Sequence, residues 1–452
     1  MARLFGTDGI RGLANGDLTP QLALSLAQAA AGVLADHRAG AGRSLAVVGR
    51  DGRASGEMLE AAIVAGLASA GVDVLRVGVL PTPAISYLTA ELGADLGVVL
   101  SASHNPMPDN GVKFFARGGH KLADALEAEV EARLFEEWER PLGPQVGRVR
   151  DLPEAAVSYV AHLLDTLPAP LTGLRVVVDC ANGAASAVAP VVYRKAGAEV
   201  LAVAAEPDGL NINAGCGSTH PAHLQREVLS RSADVGLAHD GDADRCLAVD
   251  TAGELVDGDA ILAICAVALQ EAGALTGDAV VTTVMANLGF KRAMSGRGIR
   301  VVETPVGDRY VLEAMQAEGL ALGGEQSGHL VFARHAATGD GLLTALQLLG
   351  RLAQSGATLA DLASVVHRLP QVLINVIVRD RAAASGHPKV QEAVQRCTEA
   401  LGADGRLLLR ASGTEPLVRV MVEAPTEQDA QHWAREVAAV VAEVADGAGF
   451  AS

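Results

Sequence analysis

Leu96-Gly97-Val98-Val99-Leu100-Ser101-Ala102-Ser103-His104-Asn105-Pro106 decides how this chain folds. The apolar run from Leu96 to Leu100 predicts a buried strand of a parallel layer, and the polar residues after it predict a turn closed by Asn105-Pro106. Ligands of open α/β sheets bind beyond the carboxyl ends of the strands, so the hydroxyl of Ser103 is delivered to a place suited to chemistry. The turn is expected to be exposed. His104 is expected to face away from Ser103, because adjacent side chains diverge on both helices and strands. With no G-x-S-x-G elbow, a serine-hydrolase arrangement is set aside. Lys113 returns beside Ser103 if Asn110-Gly111 makes a tight turn, and there it would accept a proton or clamp a phosphate.

Outward from this stretch, short apolar runs alternate with amphipathic stretches, the pattern of α/β layers. Strands are predicted at 45–48, 72–77 and 96–100, then at 174–179, 200–204 and 235–239, then at 280–284, 300–303 and 320–322. Ser55 is expected to cap a helix reaching residue 70, and Thr82 to cap the helix opened by Pro83. The last section differs, with strands at 372–378, 406–410 and 418–422, a helix at 388–401, and a final helix capped by Thr426 with Asp429. The expected fold is α/β, with mixed, mainly parallel sheets. Its α/β domains span 1–152, 153–253 and 254–368, and a smaller C-terminal α+β domain spans 369–452. Each sends one polar, glycine-rich loop out of a strand, as four walls of a central cleft would.

Bulk properties narrow the function. A chain of 452 residues is too long for one core. A net charge of −17 without a basic run excludes a nucleic-acid partner and requires any anion-binding cations to be gathered locally. Five scattered cysteines without C-x-x-C spacing fit neither a disulfide framework nor a zinc site. The N-terminus lacks an apolar signal region, and residues 22–35 are too short and too rich in Ala and Gln to span a bilayer. A cytoplasmic protein without a membrane partner is expected.

A second stretch complements the first. Asp240-Gly241-Asp242-Ala243-Asp244-Arg245 follows another apolar run and puts carboxylates at alternate positions. An EF-hand loop would need Gly where Arg245 stands and Glu where Thr251 stands, so that calcium site is rejected. Hard oxygen ligands without a Cys/His pattern point to Mg²⁺, held by Asp240, Asp242 and Asp244. Mg²⁺ usually keeps a position for a phosphate oxygen, and a phosphorylated Ser103 would supply one. Arg410-Ala411-Ser412-Gly413-Thr414-Glu415-Pro416, with Arg419 on the next strand, offers guanidinium forks, hydroxyls and turn amides, which together suit a phosphate. In Gly324-Glu325-Gln326-Ser327-Gly328-His329, Glu325 and Ser327 suit sugar hydroxyls and His329 could exchange a proton. Arg11 is a further candidate cation.

Taken in order, these four loops resemble the α-D-phosphohexomutase family over essentially the whole length. The resemblance implies three similar α/β domains and a distinct C-terminal domain around a central cleft, with a phosphoserine at Ser103. One Mg²⁺ per subunit would lie between that phosphate and Asp240, Asp242 and Asp244. Lys113 would assist proton transfer, Arg11 and Arg245 would hold the phosphoserine, and His329 would be a nearby acid/base. Glu325 and Ser327 would grip sugar hydroxyls, while Arg410, Ser412, Gly413, Thr414 and Arg419 would hold the non-reacting phosphate. Residues 5–12, Asn211-Ile212-Asn213, Cys216-Gly217-Ser218-Thr219, Val306-Gly307-Asp308-Arg309-Tyr310 and Glu325-Gln326-Ser327 resemble the family's glucosamine branch. Glu303-Thr304-Pro305 departs from it, since a basic residue is common there. The implied reaction interconverts glucosamine 6-phosphate and glucosamine 1-phosphate through bound glucosamine 1,6-bisphosphate, on the way to UDP-N-acetylglucosamine and cell-wall precursors. The last domain would hinge to shut out water, and the protein would be a monomer or a homodimer. Rival readings are a phosphomannomutase/phosphoglucomutase, a metal-dependent phosphatase, and a silent sugar-phosphate sensor. The sensor would be expected to lose Ser103 or one of the aspartates.

Overall fold

The computed structural model describes residues 3–6, 8–37, 42–134, 136–412 and 416–447. The chain gathers into two compact units, one of Met1–Met285 with Ile299–Val365 and the other of Ala286–Gly298 with Val366–Ser452.

The first unit contains three sheets. In the first, β1 (Ile10–Leu13), β2 (Leu45–Arg50), β3 (Asp73–Val79), β4 (Leu96–Leu100), β5 (Asp109–Ala116) and β6 (Val149–Asp151) lie in the order β1-β5-β4-β2-β3-β6. β2 is parallel to both β3 and β4, whereas β5 is antiparallel to β4. The second holds β7 (Arg175–Asp179), β8 (Glu199–Val203), β9 (Val235–Ala238), β10 (Leu247–Val249) and β11 (Leu255–Val256), in the order β11-β10-β9-β7-β8. The third holds β12 (Ala279–Thr283), β13 (Arg300–Thr304), β14 (Leu322–Gly324) and β15 (Leu330–Phe332), in the order β13-β12-β14-β15.

One pattern recurs in all three sheets. A central strand has its successor on one side and the third strand on the other, and an antiparallel return strand pairs with the third on its far side. The strand order therefore reverses at β2, β7 and β12, where an α/β sheet opens a crevice at its carboxyl end. The loops singled out in the sequence are the hairpins β4–β5, β9–β10 and β14–β15 that leave this end.

The return strands alter two expectations. Asn110-Gly111 lies inside β5 and makes no tight turn, and Lys113 comes back by pairing opposite Val99. The reversal occupies residues 101–108 instead. The helix cap positions also move by one residue. Ser55 is the first residue of the helix Ser55–Ser69, and Thr82 is the first of Thr82–Glu91, with Ala54 and Pro81 in the cap positions. Each hydroxyl thereby becomes available for another partner.

Apolar residues of these strands and their covering helices form the cores. Val48, Val74, Val98 and Leu100 pack with Leu26, Leu59, Ile63 and Leu67 in the first domain. Val177, Leu224, Val228 and Val249 pack in the second, and Val281, Val311, Met315 and Val331 in the third. The second unit is α+β, as expected. β16 (Gln371–Ile377), β17 (Arg406–Ala411) and β18 (Leu417–Glu423) form an antiparallel sheet, and its core packs Val418, Val420 and Val422 with Val390, Ala393, Cys397, Ala434 and Val437. The Thr426 hydroxyl caps the final helix by accepting from the Asp429 amide at 3.1 Å and donating to its carboxylate. All five cysteines are buried thiols. Among the described residues no helix is long and apolar enough to cross a membrane.

Candidate active site

In the first unit, the β4–β5 and β9–β10 hairpins meet. Ser103 Oγ donates to Asp240 Oδ2 at 2.6 Å, and Ser103 N–H donates to Ser101 Oγ at 2.9 Å. Ser103 is only 1% exposed, so its hydroxyl does not sit on an exposed turn as expected. Its φ of +52° puts it in the left-handed region. That conformation also corrects the reading of His104: the backbone is neither helical nor extended here, and His104 Nδ1 lies 3.2 Å from Ser103 Oγ.

Asp240, Asp242 and Asp244 are buried, each with one potential ligand atom, and these atoms lie within 4.8 Å of one another. Their Oδ1 atoms are buried and take no hydrogen bond. The opposite oxygen of Asp242 is engaged, accepting from Thr82 Oγ1 at 2.7 Å and Lys113 Nζ at 2.9 Å. Burial and the two neighbouring carboxylates push Asp240 up to about 7. Burial acts the same way on Asp244, but His329, Lys113 and Arg245 override it and hold Asp244 well below the usual carboxylate range. Three buried oxygens without donors, in a cluster whose members repel, fit a divalent cation with hard oxygen ligands.

Cations close around this cluster, the local gathering that a net-acidic chain needs if it is to bind an anion. Lys113 Nζ lies 2.8 Å from Asp8 and 2.9 Å from Asp242. Burial opposes its charge, but these carboxylates more than compensate and hold it protonated. Arg11 Nη2 donates to Asp8 at 2.5 Å, and Arg245 Nε lies 3.8 Å from Asp244 and 3.9 Å from Asp240. Lys121 bridges Asp8 and Asp308, and His329 stands between Asp244 at 3.5 Å and Asp308 at 3.4 Å. Charges thus alternate around a ring of Lys113, Asp8, Lys121, Asp308, His329 and Asp244, which closes where Asp244 lies 3.8 Å from Lys113. Burial disfavours charge on His329, but Asp244 and Asp308 raise it to about 9.

The β14–β15 loop joins the same site. Cys246 N–H donates to Gly328 O, and Gly258 N–H to Gln326 O, both at 3.0 Å. Glu325 Oε1 accepts from Gly307 N–H at 3.2 Å, and Ser327 Oγ is buried without a hydrogen bond from the protein. Behind the aspartate loop, Gly341 N–H donates to Ala243 O, and Asp340 caps the helix Gly341–Ser355 while accepting from Tyr159 Oη at 2.8 Å. His239 is fully buried, donating from Nδ1 to Arg245 O and accepting at Nε2 from Tyr193 Oη.

Burial lowers the His239 pKa to about 4, so the folded chain refuses a proton that the unfolded chain accepts near 6.5. Stability contributed by this neutral ring is present at pH 7 and lost as pH falls from about 6.5 toward 4. Thermal melts of magnesium-saturated protein should therefore fall between pH 7 and pH 5; an unchanged midpoint would count against the assignment.

Gly241 makes the loop contact possible. A Cβ there would lie 2.6 Å from Ser103 O and 2.9 Å from Asn213 Nδ2. Gly241→Ala should part the two loops and lower turnover about 100-fold, because misplacement by 1 Å has that scale of effect. A variant of unchanged turnover would show that this contact is not needed.

The sequence reading gave no site role to Asp8, Asp51, Arg53, Thr82, Lys121 or Asn213. Asp51 and Arg53 follow β2, the neighbour of β4, and that strand order was the signal available. The others join the site through contacts distant along the chain.

In the second unit, Arg410 and Arg419 pair directly across β17 and β18, so two guanidinium groups share one face. Like charges so placed repel unless an anion sits between them. Ser412 N–H donates to Leu417 O, and Arg381 donates to Ser412 O. Gly413 and Thr414 lie outside the described residues.

Sequence models of the phosphoglucomutase/phosphomannomutase family match the chain in order: α/β/α domain I at residues 2–141, domain II at 157–253, domain III at 257–369 and the C-terminal domain at 373–440. The phosphoglucosamine mutase of Saccharopolyspora erythraea is 62% identical, covering 98% of this chain and 100% of its own. That of Acidothermus cellulolyticus is 65% identical, with coverage of 98% and 96%. Among solved structures, a phosphoglucomutase/phosphomannomutase family protein from Burkholderia thailandensis superposes with a TM-score of 0.81 at 24% identity, covering 99% of this chain and 98% of that one. The N-acetylphosphoglucosamine mutase of Aspergillus fumigatus, solved with GlcNAc-6P and magnesium, superposes at 0.71 with 19% identity over 98% and 96%.

Proposed function

Because this chain belongs to the phosphoglucomutase/phosphomannomutase family, we propose that it interconverts glucosamine 6-phosphate and glucosamine 1-phosphate through a phosphorylated Ser103 and bound glucosamine 1,6-bisphosphate. The observation that carries this reading is the hydrogen bond of Ser103 Oγ to a cluster of three buried carboxylates, each with one buried oxygen lacking a donor. The choice of amino sugar draws support from the phosphoglucosamine mutases at 62–65% identity over nearly full length. The same matches support domain junctions near residues 152, 253 and 368.

Asp240, Asp242 and Asp244, with the phosphate on Ser103, would hold Mg²⁺, which when bound neutralises charge on the transferring phosphoryl group. In the first half-reaction the bond from phosphorus to Ser103 Oγ breaks and a bond to the sugar hydroxyl forms. In the second, Ser103 Oγ attacks the phosphate at the other end of the bisphosphate. Each transfer takes one proton from the acceptor hydroxyl and leaves one on the departing oxygen, so no net proton is consumed. Lys113 serves this exchange or clamps the phosphate. Arg11 and Arg245 hold the phosphoryl oxygens, and His329 acts as acid/base nearby. Glu325 and Ser327 hold sugar hydroxyls. Arg410, Ser412, Gly413, Thr414 and Arg419 hold the phosphate that is not reacting, and because that cradle reads only phosphate it accepts either end of the intermediate.

Intact-mass analysis of the purified protein should reveal one phosphoryl group on Ser103. Parallel assays should favour glucosamine 1-phosphate over glucose and mannose 1-phosphates. Preference for mannose or glucose phosphate would make it a phosphomannomutase/phosphoglucomutase, and rapid phosphate release from the bisphosphate would make it a phosphatase.

A further inference from the structure

Behind the Ser103 turn lies Arg53, whose side chain is wholly buried. Its Nη1 donates to Pro106 O at 2.5 Å and Asp109 O at 2.9 Å, and its Nη2 to Ser103 O at 2.9 Å and Asn105 O at 2.8 Å. The remaining donor, Nε, bonds Asp51 Oδ2 at 2.9 Å. A guanidinium has five N–H donors, and here four end on main-chain carbonyls of one turn. Asp51 completes the grip: its Oδ2 accepts from Ser101 Oγ at 2.6 Å, and Ser101 Oγ accepts from Ser103 N–H. From the second domain, Asn213 Nδ2 donates to the same Ser103 carbonyl at 2.9 Å and to Asn105 O at 3.1 Å. The residue so enclosed has a φ of +52°, which a serine keeps only where its surroundings enforce it.

We propose that Arg53 is a positioning residue of the phosphoryl transfer, holding Ser103 in the left-handed conformation that aims Oγ at Asp240. This rests on the reading of Ser103 as phosphoryl carrier. The demand is physical: one oxygen is leaving group in the first half-reaction and nucleophile in the second, so the turn must present it identically in both. A planar fork can serve four carbonyls at once, whereas an ammonium is a point charge.

The test compares Arg53→Lys and Arg53→Ala with wild-type protein in magnesium. Turnover should fall about 100-fold or more in both, with KM within about threefold, because the substrate contacts lie elsewhere. Amide exchange should quicken at residues 101–109 and stay slow in β2 and β4. Guanidinium chloride at constant ionic strength should restore Arg53→Ala by about tenfold or more, and sodium chloride should not. The proposal is overturned if Arg53→Lys retains a turnover within about threefold of wild type. It is equally overturned if the turn keeps its slow exchange, if guanidinium restores nothing, or if both variants fail to fold or lose protection across the whole first sheet, which would make Arg53 a core residue only. Wild-type protein with no phosphate on Ser103 and no turnover would instead sink the proposed function, and the exchange comparison would still decide whether Arg53 holds the turn.

Discussion

Ser103→Ala protein should fold and lose turnover by at least ~10³-fold, since no other group can replace the oxygen proposed to carry the phosphoryl group. Nearby hydroxyls are committed elsewhere: Ser101 Oγ donates to Asp51, and Thr82 Oγ1 donates to Asp242. The variant should carry no phosphoryl group by intact mass. It should also lose roughly 1–3 kcal/mol of stability, because a hydrogen bond to a buried carboxylate disappears. Chemical denaturation measures that cost. Retained turnover would remove Ser103 from the mechanism, whereas a wild-type stability would mean the bond to Asp240 contributes nothing to the fold.

Asp242→Asn should weaken Mg²⁺ binding at least ~100-fold and slow turnover about 10²–10³-fold, because one oxygen of this carboxylate is held by donors and the other is left to bind the metal. Oδ2 accepts from Lys113 and Thr82, while Oδ1 is buried without a donor. An amide must turn its NH₂ toward one side or the other. Outward, it meets the Lys113 ammonium; inward, it occupies a ligand position that it cannot fill. Titration calorimetry reads the affinity directly, and the rise in melting temperature with added magnesium should vanish in the variant. A magnesium titration indistinguishable from wild type would remove Asp242 from the metal site.

Much of this site is legible along the chain because its signals are local. An apolar run ending in a polar turn marks the carboxyl end of a strand wherever it occurs, which located residues 96–106 and 235–245 and their loops. Carboxylates at alternate positions announce a cation by charge alone. Where the reading failed, the conformation depended on a partner. Asn110-Gly111 has the composition of a turn, but β1 offers its edge, pairing Arg11 with Gly111 and Gly12 with Asn110, and the pair is drawn into β5. Ser55 and Thr82 have the right chemistry to cap helices. Their hydroxyls instead meet Asn110 and Asp242, to which they are remote in sequence.

The sequence by itself determined residue chemistry and strand ends: a hydroxyl at Ser103, carboxylates at Asp240, Asp242 and Asp244, and polar loops leaving α/β or α+β layers. Hydrophobic alternation and charge are carried by neighbours in the chain, so they can be read without a fold. Only the tertiary structure decided that Ser103 is buried and left-handed, and that Arg53 and Asn213 grip its carbonyl. It also decided that Lys121 and Asp308 complete a ring of alternating charge. Those facts depend on saturating buried donors and acceptors between segments more than a hundred residues apart in places, a condition that appears only once the sheets have packed.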